Sequence, residues 1–457
     1  MKELNQDCQA MLQAQFDAHQ ASGLKMKDYL DHTTFCHDGR HLNALYFPKV
    51  FTPEDLAIFK NLIVITHTIF EKIIRRYQCD ADYRKLFPFS DELAELIAIP
   101  SGYDSVLPMA RFDIFYDEAT QDFKFCEINT DGTSAMNEVR ELNNALHYNL
   151  GFRKLTKYHD FKSFKLFDTW IDRMMNLYRH GDAPIQDPTV AIVDFIDDTP
   201  SKQDSLAEFR VFQRHFEKKG IHTVIADIRS LTYTDGVLRT AEGDPVHVIY
   251  RRAVTADILE HYDEVQGFIA AVKDQAVTLF GPMCTQVIHN KWLFAVIHND
   301  ATKTFLSPAE NEFVALHFPM TRDLTEDAIR ELDALATKDR WIVKPMDGYA
   351  CHGVYAGVDC SDEQWRDILT EYAEAPTIIQ EYVTPYRSAN IDFSSRSPRI
   401  EEYINMTGLY VFDGRFAGFY SRQSNGGIVR SGDNEKVVPT LEILEEEFTS
   451  IVDGRLS

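Results

Sequence analysis

No apolar run in this 457-residue sequence reaches the roughly eighteen residues that a membrane-spanning helix needs. The start, MKELNQDCQAMLQAQFDAHQ, lacks the basic flank and apolar stretch of a secretory signal and reads as a polar helix. Cysteine is scarce: there are seven, an odd count, and no Cys-x-x-Cys spacing. That excludes a disulfide framework and points to a reduced, cytoplasmic protein. His32, Cys36 and His37 have metal-ligand chemistry, but no second pair at ligand spacing accompanies them, so their expected role is structural or solvated. Positive charge is also short, with 47 Lys+Arg against 71 Asp+Glu and a formal net charge of −24. Such a surface repels a polyphosphate backbone, which argues against nucleic acid as a partner. It leaves room for a small phosphorylated ligand in a locally basic cleft. No internal repeat or low-complexity tract occurs.

What is present suits a globular protein of one large or several ordinary domains, with 44% apolar and 26% charged residues. Residues 1–95 read mainly as helix. The clearest start is Thr52-Pro53-Glu54-Asp55, which offers an N-cap hydroxyl, a first-turn proline and two acids at the positive helix end. Leu56, Phe59, Leu62, Ile63, Phe70, Ile73 and Ile74 then recur at helical spacing. Residues 96–150 form the next unit: strands over 107–117 and 122–130, where Phe123, Phe125 and Glu127 alternate with Lys124, Cys126 and Ile128, then a helix over 136–149. Residues 185–285 read as a small α/β unit with strands at 190–196, 222–226 and 246–250 and a helix at 202–219, a spacing that favours a parallel sheet. Residues 286–445 read as α+β, with strands at 341–344, 354–358 and 377–383, a loop at 347–353 and a hairpin across Asp413-Gly414. A polar surface loop is expected at 386–399 and an acidic, helix-like tail at 441–457.

Several residues could carry chemistry. Arg111 and Asp113 are two apart and share one strand face; Glu127 and Asn129 share another for the same reason. If these strands are antiparallel neighbours, one patch holds two carboxylates, an amide and a guanidinium. Hard oxygen donors suit magnesium, and an arginine suits a phosphoryl group. Lys344 ends a strand before Pro345 and a loop with two glycines, too few for a Walker motif, and Lys291 follows Asn290 at the start of a helix. Gln380, Glu381, Tyr382 and Val383 make an extended segment that could offer backbone groups to a purine, with Tyr382 and Val383 as apolar walls. Arg422 precedes Ser424-Asn-Gly-Gly. Each has a plainer explanation, as a solvated strand face, a surface lysine or a strand end; the combination is what carries weight.

The motifs R-x-D, E-x-N-x-D, N-K, V-K-P, Q-E-Y-V and D-G-x-x-A-G-x-x-x-R stand in this order, and over residues 50–440 the chain resembles the synthetase domain of the glutathionylspermidine synthase family. The resemblance implies an ATP-grasp fold in circularly permuted order, because Asp113, Glu127 and Asn129 precede Lys291 and Lys344. With it come a small parallel-sheet pre-ATP-grasp-like domain and an N-terminal helical segment. It implies ATP and Mg²⁺ as cofactors and an amide-forming ligation through an acyl phosphate, joining glutathione or another peptide carboxylate to a polyamine or another amine. By resemblance, Asp113, Glu127 and Asn129 hold magnesium and Arg111 meets the acyl phosphate. Lys291 and Lys344 hold ATP phosphates, residues 380–383 line adenine, and Arg422 steadies the transferring phosphoryl group. Asp131, Thr133, Ser134 and Glu138 fall where that family meets its peptide, and Asp131 or Glu138 could take a proton from the amine. The loop at 346–353 is the expected lid, although it lacks the family's Arg-Glu-Gly run. Residues 130–134 read Thr-Asp-Gly-Thr-Ser where the family favours Ala-Asp-Thr-Pro-Thr. The rival reading is a nucleotide-binding regulatory or assembly protein of the same fold without ligase turnover.

Overall fold

The computed structural model describes residues 2–37, 39–348, 353–430 and 433–444. Helix α1 (Phe16–Asp31) is followed, after a stretch of short strands, by α2 (Pro53–Cys79). At the start of α2 the Thr52 hydroxyl accepts from the Asp55 N–H and the Asp55 carboxylate accepts from the Thr52 N–H, a reciprocal cap with Pro53 in the first turn. The apolar positions predicted from spacing, Leu56 through Ile74, are buried, and they pack with Phe112, Phe125 and Leu409 of the central sheet. Residues 1–95 are mainly helical, as expected, but short strands interrupt the helices. Asn43–Ala44 and Lys49–Phe51 are strands, paired in parallel with Lys436–Val438 and Thr440–Ile443. Their partners lie at the far end of the sequence, where local periodicity carries no signal. The helix-like reading of the tail is corrected for the same reason at 441–443; residues 445–457 lie outside the described residues.

Strands β1 (Met109–Tyr116) and β2 (Phe123–Asn129) form an antiparallel pair and lead into α3 (Met136–Ala145). The register shifts between Asp113 and Ile114, so that Ile114 faces Phe125 while Asp113 faces Glu127, leaving Cys126 as the extra residue of a bulge. Simple alternation would have put Phe125 and Glu127 on one face. The bulge turns Phe125 into the core and Glu127 to the opposite side.

Strand β3 (Val190–Asp194), helix α4 (Pro200–Lys218), β4 (Thr223–Asp227), β5 (Val248–Arg251) and β6 (Thr278–Phe280) make a wholly parallel sheet in the order β6-β5-β3-β4. Both faces are covered, which is why its central strands read as continuous apolar runs. Farther on, β7 (Trp341–Pro345) and β8 (Thr377–Glu381) pair antiparallel between Thr321–Asp323 and Tyr355–Ala356. The return strand is shorter than expected, and residues 349–352 of the expected lid loop lie outside the described residues.

Strands β9 (Ile400–Phe412) and β10 (Arg415–Ser424) form the expected hairpin, with Asp413 (φ 49°) and Gly414 (φ 71°) both left-handed as a two-residue turn of this kind requires. The surface loop expected at 386–399 is corrected: Arg387–Ile391 is a strand on β9. Asn390 is buried there because its amide donates to the Phe47 carbonyl and to Gln423 Oε1. The central sheet runs Asn43–Ala44, Lys436–Val438, β10, β9, β1, β2. Early and late segments thus share one sheet, and the parallel and antiparallel sheets come between them in the chain.

Candidate functional site

The central sheet carries a lattice of charge on the side away from α2. Arg111 lies opposite Asn129 and Asp113 opposite Glu127, as the two-residue spacing predicts. Asp113 is fully buried: Arg111 Nε and a terminal guanidinium nitrogen donate to its two oxygens at 2.8 and 3.1 Å. One of those oxygens also accepts from Arg422 at 2.5 Å and from Asn129 Nδ2 at 3.2 Å. The space exists because the β9 residue facing Asp113 is Gly408. A Cβ there would come within 2.7 Å of Asp113 Oδ1 and 2.9 Å of the Tyr420 carbonyl. Both guanidinium groups lie over the Tyr420 ring, at 5.2 Å for Arg111 and 5.4 Å for Arg422.

Glu127 faces open space beside this lattice. Burial works against its charge, but Lys291, then Arg422 and Arg111, outweigh it and hold the carboxyl below the usual range. Lys291 donates through Nζ to the Gly348 carbonyl at 2.7 Å and through its backbone N–H to the Met346 carbonyl at 2.8 Å. Lys344 crosses from β7 to the central sheet: its Nζ donates to Gln380 Oε1 at 2.8 Å and to the Cys126 carbonyl at 3.2 Å. The bulged residue thus presents its carbonyl to the lysine, next to Glu127. Beyond Gln380, Glu381 is exposed, and the Tyr382 hydroxyl donates to the Gly427 carbonyl at 2.7 Å.

One cleft of about 500 Å³ joins these groups, and every candidate site residue except the sealed Asp113 lines it. After Asn129 the chain turns sharply, with the Thr133 hydroxyl donating to the Asn129 carbonyl and the Ser134 carbonyl accepting from Arg111 and from Tyr410. Asp131 is committed: one oxygen meets Arg251 at 2.6 Å and the other accepts from the Thr255 N–H at 2.6 Å. Burial opposes its charge, but Arg251 and His289 hold its carboxyl below the usual range. Glu138, in the first turn of α3, lines the cleft with 9% of its surface exposed.

Sequence reasoning missed a set of charged groups in the same cleft. Glu208 accepts from Arg252 at 2.9 Å and from the Asn137 N–H at 3.0 Å; Lys202 donates to Asp194 at 3.0 Å; Glu435 lies 3.7 Å from Arg422 Nε. Glu208 gave no signal because it sits mid-helix and its partner comes from another strand. Asp194 and Arg252 had one: both stand at the C-terminal edge of parallel strands, where such sheets gather ligands.

Oxygen chemistry decides whether a divalent cation fits. No group of three His, Cys, Asp or Glu side chains forms a metal cluster among the described residues. Magnesium, however, takes one or two carboxylates and completes its shell with water and phosphate oxygens. Glu127, with 27% of its side chain exposed, and Asn129 supply open hard donors on the cleft wall. An oxygen of Asp113 could join only by exchanging a guanidinium bond.

No protein-family model and no curated protein matches the chain. A glutathione synthetase-like effector from Globodera pallida, solved in its apo form, matches with a TM-score of 0.55 and 11% identity, over 92% of this chain and 96% of that one. D-alanyl-alanine synthetase A from Vibrio cholerae matches with a TM-score of 0.33 and 12% identity, over 58% and 76%. An ATP-grasp ligase in complex with a minimal precursor matches with a TM-score of 0.29 and 14% identity, over 59% and 94%. The first match shows a shared fold: the chain is a mixed α/β protein built like the glutathione synthetase-like effector.

Proposed function

We propose that this chain is an ATP- and magnesium-dependent carboxylate–amine ligase of the ATP-grasp type, in circularly permuted order. One observation carries the reading. Arg111, Glu127, Asn129 and Arg422 on the central sheet meet Lys291 and Lys344 in a single cleft, although the carboxylates precede the lysines in sequence. The fold shared with a glutathione synthetase-like protein supplies the frame. In this reading residues 96–150 and 286–445 form the ATP-binding halves, 185–285 the pre-ATP-grasp-like unit and 1–95 an N-terminal addition.

A carboxylate is a poor electrophile because it would have to expel oxide. Phosphorylation by ATP gives an acyl phosphate, from which phosphate can leave when an amine attacks. Lys291 and Lys344 would hold the nucleotide phosphates, and residues 380–383 the adenine. Arg422 would steady the transferring phosphoryl group and Arg111 the acyl phosphate, both acting from fixed positions. Glu127 and Asn129, backed by Asp113, would hold magnesium, which when bound offsets phosphate charge. Thr133, Ser134 and Glu138 would face the substrates; Asp131 would brace their loop through Arg251. Glutathione and spermidine are the substrate pair favoured by resemblance, with another peptide carboxylate and amine as the rival pair.

Glu127→Ala and Lys344→Ala are each expected to lower ADP release in the presence of glutathione and spermidine by about 100-fold or more, with unchanged circular dichroism. Full turnover in both variants would sink the proposal. Saturable ATP binding by calorimetry with no ADP formed over hours, across a panel of peptides and amines, would favour the regulatory reading instead.

A further inference from the structure

An amine that attacks an acyl phosphate must arrive without its extra proton, and in water near neutral pH most alkylamines carry it. The cleft has two carboxylates near the turn after Asn129 that could accept one. Asp131 is spent, since Arg251 and the Thr255 N–H occupy both its oxygens. Glu138 is the contrast. It is nine-tenths buried, it lines the cleft, and the hydrogen bond its carboxylate accepts comes from its own backbone N–H, not from a cationic side chain. A buried carboxylate with a single neutral hydrogen bond and no paired cation is costly unless a proton or a ligand completes it.

The groups around Glu138 sharpen this. From α4 comes Glu208, already shared between Arg252 and the Asn137 N–H. From the segment before Lys436–Val438 comes Glu435, near Arg422 and the Tyr420 hydroxyl. Arg111 of β1, Tyr410 of β9, Tyr420 of β10 and Cys36 of the short strand Cys36–His37 also interact with it electrostatically. Arg111 is the cation among these groups, and Asp113 holds it. Burial first, then the Glu208 and Glu435 carboxylates, push the Glu138 carboxyl well above its usual range.

We propose that Glu138 is the proton acceptor for the attacking amine; the assignment rests on the ligase reading above. The alkylammonium gives one proton to the Glu138 carboxylate, leaving a neutral amine and a carboxylic acid. The nitrogen lone pair forms the new bond to the acyl carbon as the carbon–oxygen bond to phosphate breaks. The second nitrogen proton leaves with hydrogen phosphate, and Glu138 returns its proton to solvent.

Hydroxylamine provides the test, because it is largely unprotonated near neutral pH and traps an acyl phosphate as a hydroxamate without a base. Wild-type protein, ATP and magnesium are first given hydroxylamine with glutathione and a panel of dipeptides and amino acids. Absence of hydroxamate and of ADP throughout overturns the ligase reading itself. With a reactive carboxylate in hand, rates are compared with hydroxylamine and with an alkylamine panel headed by spermidine. In Glu138→Gln the ratio of alkylamine to hydroxylamine rates is expected to fall about 100-fold and to recover as pH rises and free amine accumulates. A ratio equal to the wild-type value, or one that does not change with pH, overturns the assignment. Glu138→Asp, which keeps the base, is expected to restore part of the ratio.

Discussion

His19 lies fully buried in α1, with Nδ1 2.9 Å from the Tyr46 hydroxyl, which also accepts from the Gly151 N–H. Burial, then nearby Lys154, push its imidazole down from 6.5 to about 4. The folded chain therefore resists a proton that the unfolded chain takes up, so stability is full above the unfolded value and lost as pH falls through the folded one. Melting temperature is expected to drop between pH 6.5 and about 4 more steeply in the wild type than in His19→Gln, by calorimetry at matched ionic strength. Equal slopes would remove His19 from the account. At this scale the site is partly legible in sequence. Arg111 with Asp113, and Glu127 with Asn129, can be read from a strand's period of two. The isolation of Glu138 cannot, because it depends on where Glu208, Glu435 and Arg111 arrive from three other elements.

Strand β9 contributes little chemistry of its own and makes the lattice possible by being empty at Gly408. Gly408→Ala would drive a methyl group into Asp113 Oδ1 and the Tyr420 carbonyl, neither of which is a free side-chain end. The expected cost is about 1–3 kcal/mol of stability, seen as a lower denaturation midpoint, with loss of ATP turnover as the Arg111 and Arg422 bonds shift. A variant with wild-type midpoint and turnover would show that the lattice tolerates the methyl. The elements with strong local signals, the capped helix α2 and the β9–β10 hairpin, are legible in sequence. The strand Lys49–Phe51 is not, since its pairing partner lies hundreds of residues away, and Arg387–Ile391, though it pairs with nearby β9, has a polar sequence whose buried Asn390 is satisfied by the distant Phe47 carbonyl. The Cys126 bulge is also invisible to alternation, yet it decides which side Glu127 faces.

Across the whole molecule, the cleft draws its walls from three sheets, so a ligand that spans it should stiffen all of them together. MgATP is expected to stabilise the wild-type chain by about 2.7 kcal/mol at a hundred times its dissociation constant, read as a rise in melting temperature. Glu127→Ala and Lys344→Ala are expected to lose most of that rise. A rise of the same size in both variants would place the nucleotide elsewhere. The mixed α/β class and the parallel arrangement of 190–280 follow from the order of strands and helices. The sharing of one sheet by early and late segments does not, because pairing across the chain leaves no periodic trace.

That shared sheet sets a timetable for synthesis. Asp113 and the guanidinium that caps it are 309 positions apart, and at about 5–20 residues per second the ribosome needs roughly 15–60 s to travel between them. Through that interval β1 has its β2 neighbour on one side and an open edge on the other, carrying a carboxylate whose second guanidinium has not yet been made. The parallel sheet is complete before that and can fold first, whereas the central sheet closes last. Until residues 400–424 emerge to seal it, that edge is open to pairing with another chain.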